Sequence, residues 1–198
     1  MQKGEVIKNG EKTQNEGGRV EVIAKYFLLI MLFSFLGWAF ETVLTFLQTG
    51  RFYDRGFMAM PFCPIYGASL IIVYFLLGTP NEGRGLLKNE ENPVKRQLLY
   101  LPFAFLVPTV AEFVVGFFFD VFFDTSLWSY QGFPLNFRGY ISLPISLGWM
   151  VLVFLFMKYL FPPLKRLVFK TPKGLAIDLA SLLFIAVIAD MVASYRAI

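Results

Sequence analysis

The sequence predicts an all-α polytopic membrane protein with about five transmembrane helices. Four of these form two parallel-repeat helical hairpins, and one extra helix closes the C-terminus. Three observations lead there. Only 16% of the 198 residues are charged, where a soluble domain carries about a quarter, while 57% are hydrophobic and mean hydropathy is +0.60. The apolar residues, 24 Phe among them, are gathered into long blocks. Fourteen of the eighteen Lys and Arg fall in alternate polar segments, the signature of a chain threaded repeatedly through a bilayer.

The elements follow in order. Residues 1–21 are rich in Lys, Glu, Gly, Asn and Gln and read as a disordered cytoplasmic tail. Residues 22–198 form a single transmembrane domain: repeat one at about 22–77, repeat two at about 98–161, and a fifth span at about 175–195. The first span, Val22 to Leu47, is too long for a signal peptide and lacks a small-residue cleavage site. Ser34, Gly37, Glu41, Thr45 and Gln48 recur along it at helical spacing. Such a small and polar stripe faces other helices or a cavity. The second span covers Pro64 to Leu77, and a polar loop runs from Gly78 to Gln97. The third, Leu98 to Phe119, carries Pro102, Pro108 and Glu112, and proline inside a membrane helix frees a carbonyl. A polar and aromatic loop, Asp120 to Gly139, leads to the fourth span, Ser142 to Phe161, which is expected to end at Pro162-Pro163. A basic loop then precedes the last span, with its Asp178 and Asp190.

The charge test fixes an orientation. The tail through Lys25, the 78–97 loop and the 158–173 segment hold five, four and five Lys and Arg. The intervening loops and the C-terminus hold two, one and one. By the positive-inside rule the N-terminus is cytoplasmic, the C-terminus lies outside, and the intervening loops face outward. The net charge of +4 therefore marks helix ends rather than a nucleic-acid surface. Cys63 is the sole cysteine and there is no His, which excludes an internal disulfide, the usual zinc, haem and iron–sulfur sites, and Ser-His-Asp or Cys-His catalysis. Neither GxGxxG nor GxxxxGK[ST] occurs, so no nucleotide site is expected in this chain. No cofactor is expected, and nothing commits the protein to catalysis.

The outward segments carry an internal repeat. Arg55-Gly-Phe-Met-Ala-Met-Pro61 aligns with Arg138-Gly-Tyr-Ile-Ser-Leu-Pro144. Glu41 lies sixteen residues after Lys25, and Glu112 sixteen after Arg96. At about 1.5 Å per residue each carboxylate is roughly 24 Å from its basic anchor, in the outer half of a hydrocarbon core about 30 Å thick. Two parallel units of this kind are related by an axis along the membrane normal. A carboxylate deep in a bilayer is unfavourable by about 2.5–3.5 kcal/mol on insertion scales. Glu41, Arg55, Glu112, Arg138 and Asp190 are therefore candidates to line a shared polar pocket. Glu41–Arg55 and Glu112–Arg138 could equally be ion pairs that clamp the hairpins. Trp38, Asp54, Tyr66, Trp128, Tyr130 and Asn136 are candidate clamp or wall residues. Trp38, Trp128, Tyr130, Tyr140 and Trp149 also fit an aromatic belt at the outer interface.

Phe35-Leu-Gly-Trp-Ala-Phe-Glu41, Arg55-Gly-Phe and Pro61-Phe-Cys-Pro-Ile-Tyr-Gly67 resemble the bacterial ABC-transporter type IV (CmpB-like) membrane family. Trp128-Ser-Tyr130, Asn136 and Gly148-Trp149 extend the likeness. Asp54, Met60, Ser129 and the order of Gly148-Trp149 depart from the family's pattern. The resemblance implies a permease-like membrane subunit in a bacterial cytoplasmic membrane.

Three functions follow as expectations. The first is a permease-like subunit with an outward pocket for a small solute, and an ATPase partner on loops 78–97 and 158–173. The second is a protein or enzyme that holds an outer-leaflet lipid phosphate through Arg55 and Arg138, with Glu41 or Glu112 as acid–base. The third is an accessory subunit with no ligand.

Overall fold

The computed structural model describes residues 2–52 and 58–195, with side-chain surroundings from residue 17 onward. The protein is an all-α polytopic membrane bundle. Helix α1 covers Gln2–Thr49, α2 Pro64–Leu77, α3 Pro93–Phe123, α4 Leu143–Leu155, α5 Phe161–Phe169 and α6 Lys173–Tyr195. A five-residue π turn, Phe156–Leu160, fuses α4 to α5. Among the described residues, four stretches are long and apolar enough to cross a membrane: Gly17–Thr49, Pro93–Phe123, Leu143–Phe169 and Lys173–Tyr195, with Pro64–Leu77 as a shorter fifth. Only 11–28% of their apolar windows is buried within the protein, so most of that surface faces lipid.

Two boundaries differ from expectation. Helix α1 begins at Gln2 and so includes the polar stretch before Val22. The fourth span does not stop at Pro162-Pro163. Proline lacks an N–H, so Pro162 cannot bond the carbonyl of Lys158 four residues back. The chain absorbs this with the π turn, in which Phe161 N–H donates to Phe156 O, and Asn81 Nδ2 donates to the freed Lys158 carbonyl at 3.0 Å. With that carbonyl satisfied, the helix runs on to Phe169. Helix α3 likewise continues through Pro102 and Pro108.

Helices α1 and α2 pack together, as do α3 and α4; α2 meets α3, and α6 lies on α1. The α1–α2 crossing is close because Gly67 has no side chain: a Cβ there would stand 2.2 Å from Ile30 O and 2.5 Å from Ser34 Oγ. Leu29, Phe33, Val73, Leu77, Tyr100, Met157 and Phe161 fill the core between these helices.

The 78–92 loop turns on Gly78, at φ +80°. Arg96 then ties it down, donating to the carbonyls of Pro80 (3.2 Å), Asn81 (2.7 Å) and Glu90 (3.1 Å). Asn92 caps α3 by accepting from Val94 and Lys95 N–H. At the other end, a two-residue antiparallel ladder, Asn136–Phe137 with Ile141–Ser142, closes the loop before α4.

Candidate functional site

Glu41 lies on the last turns of α1, half-buried, and accepts a short hydrogen bond from the Tyr66 hydroxyl of α2. Gly37, one turn earlier on α1, makes room for this, since a Cβ there would fall 2.4 Å from the Tyr66 ring. Glu112 lies on α3 and is 7% exposed. Its Oε1 accepts from Tyr130 Oη at 2.9 Å and from Trp149 Nε1 on α4 at 2.8 Å. Among the described residues its Oε2 is buried with no hydrogen-bond partner. The rings of Tyr66 and Trp149 meet edge to face at 5.3 Å. Glu41, Tyr66, Trp149, Glu112 and Tyr130 therefore form one continuous chain of contacts across both hairpins.

The 120–142 loop holds Tyr130 in place. Tyr130 N–H donates to Gly139 O at 2.8 Å, and Trp128 Nε1 to Tyr140 O at 2.9 Å. Asn136 donates to the carbonyls of Gln131 and Phe133 and accepts from Gly139 N–H. The Tyr140 hydroxyl donates to Asp120, which holds that phenol above its usual pKa. Trp128 and Asn136 thus brace the loop, and Tyr130 reaches the acid.

Other candidates lie elsewhere. Arg138 is exposed at the turn with φ +51°, and makes no ion pair with Glu112. The donors to Glu112 are neutral instead. Asp190 on α6 accepts from Met60 N–H at 3.0 Å, fastening the segment before α2. Trp38 is half-buried and stacks on Phe35 at 5.9 Å. Asp54 and Arg55 lie outside the described residues. A shallow apolar groove of about 210 Å³ runs along Thr42, Val43, Phe46 and Phe52, and neither carboxylate lines it. Among the described residues, no cluster of acidic, Cys or His side chains could hold a metal ion.

Trp149 is the site residue that sequence reasoning assigned to the aromatic belt. A signal for it existed. Tyr66 lies five residues after Pro61 and Trp149 five after Pro144, so aligning 55–61 with 138–144 puts the two ring donors in one register.

Comparisons with curated proteins and with solved structures gave no match. The family described as "Putative ABC-transporter type IV" matches residues 28–195, a stretch that contains both carboxylates, their ring donors, most of the first apolar span and the apolar helices that follow it, and the chain belongs to that family.

Proposed function

We propose that this protein is a permease-like subunit of a bacterial cytoplasmic membrane transporter, with a polar site for a small solute built on Glu41 and Glu112. The observation that carries the reading is the Glu112 carboxylate. One oxygen is saturated by Tyr130 and Trp149, and the other is buried without a partner among the described residues, on a network that reaches Glu41. A buried polar atom left unsatisfied costs about 1–3 kcal/mol. That cost is offset when a ligand donor arrives. Arg55 and Arg138, on the aligned turns, would meet the solute from the outer side, and Asp190 would hold the entrance segment in register. The matching positions of Tyr66 and Trp149 support descent of the two hairpins from one repeated unit. The basic segments favour a cytoplasmic N-terminus, and loops 78–97 and 158–173 would dock an ATPase subunit.

The test is a thermal-shift screen of the purified protein with small amines, amino acids and organic anions. One class is expected to stabilise the wild type and to lose its effect in the Glu41→Gln/Glu112→Gln variant. Unchanged solute responses in a variant that is merely less stable would assign the acids to a structural clamp. For the ATP-driven version, crosslinks from loops 78–97 and 158–173 should capture an ATPase. Full transport in its absence would overturn that version.

A further inference from the structure

The bundle end away from the carboxylates gathers cations on aromatic rings. The Arg84 guanidinium lies 5.1 Å from the ring centres of both Tyr74 and Phe75. Lys165 Nζ lies 4.6 Å from the Tyr74 ring centre and 5.5 Å from that of Phe169, and it donates to the Tyr74 hydroxyl. Lys25 is nearby, 5.8 Å from the Phe169 ring centre.

The three cations are not equivalent. Lys25 is buried and neutralised, paired with Glu21 at 2.6 Å and donating to Phe169 O at 3.0 Å. Arg84 is exposed, and its guanidinium makes a long hydrogen bond, 3.4 Å, to the Tyr26 hydroxyl. Among the described residues neither Arg84 nor Lys165 makes an ion pair. Two positive charges thus converge on one phenol ring. Ring faces and hydroxyls attract each cation singly, but they do not cancel the repulsion between the two. An anion between them does. A guanidinium fork with a neighbouring ammonium is also the donor pair that fits a phosphate group. The site lies at the ends of apolar helices, where long basic side chains rest their stems on apolar surface and lift their heads to the polar layer.

We propose that Arg84 and Lys165, over the Tyr74 ring, form a binding site for a phosphate anion, carried either by a lipid headgroup or free in solution. The site is independent of the Glu41–Glu112 network and of any solute bound there.

The experiment is thermal unfolding of the full chain in detergent, titrated with dioleoylphosphatidylglycerol, dioleoylphosphatidylcholine or inorganic phosphate. Phosphatidylglycerol should raise the wild-type midpoint saturably and phosphatidylcholine should not. Arg84→Gln should weaken the response about tenfold, as expected for loss of a charge-assisted pair. Lys88→Gln removes the same charge from the same loop and should leave it unchanged. A response to inorganic phosphate identifies the free anion as sufficient; a response to the lipid alone identifies the headgroup. The proposal is overturned if neither anion gives a saturable shift, or if Arg84→Gln and Lys88→Gln behave alike. Lys165→Gln should match Arg84→Gln; if it fails to fold, the exposed Arg84 decides the question.

Discussion

The two hairpins fasten their carboxylates differently. Glu41, half-buried, has one ring donor among the described residues, Tyr66, and its helix pair is locked by the Gly67–Ile30 approach. Glu112, buried, has two donors, Tyr130 from the long loop and Trp149 from the returning helix. Its helix pair has no such lock at Gly148, where a Cβ would meet nothing within 4 Å. The first hairpin is therefore held by backbone contact and the second by side-chain hydrogen bonds. Similar sequence signals lead to two mechanical solutions, because the longer second loop can reach back to its acid.

Substitutions can break that contrast. Glu112→Ala strands two donors and should cost about 2–4 kcal/mol, against about 1–2 for Glu41→Ala, which strands one. Equilibrium unfolding in mixed detergent micelles measures both, and equal losses would erase the distinction. Gly67→Ala forces a methyl against a carbonyl and should cost about 1–3 kcal/mol. Gly148→Ala, in open space within a helix, should be neutral or stabilising by up to about 1 kcal/mol. The same unfolding assay compares them, and a costly Gly148→Ala would mean that the second pair is locked as well.

Smaller effects sharpen the picture. Asn81→Ala removes the donor to the Lys158 carbonyl at the π turn, for about 1 kcal/mol. Faster amide exchange confined to residues 156–165 would show that the fastening is local. Smallest is a pH effect in the loop between the hairpins. Lys95, paired with Glu90 at 2.7 Å, holds that carboxyl below its usual pKa. A depressed folded-state pKa means stability present above the unfolded value, about 4.3, and lost as pH falls through the lower folded one. Glu90→Gln should remove this slight acid sensitivity from the loop's amide exchange and leave both carboxylates untouched.

Much of this was legible in the sequence. Hydropathy and Pro64 marked α2 to the residue, and spacing singled out the two acids. What it could not reveal was which groups would satisfy them. Arginine was the natural partner by charge, yet Glu112 is held by a phenol and an indole, since rings of that size fill a packed site that an exposed Arg138 does not enter. The helical run through Pro162-Pro163 was hidden for a similar reason. The compensating donor, Asn81, is 77 positions away along the chain.

That compensation divides the fourth span into two arms. The upper arm carries Trp149, the lower arm carries Lys165, and the widened turn between them spans Phe156–Leu160. Neither Pro162 nor Pro163 has an N–H to carry a rung across the elbow, so the Asn81 amide, reaching in from another loop, takes up the Lys158 carbonyl left free. Met157 and Phe161 seat the elbow in the core.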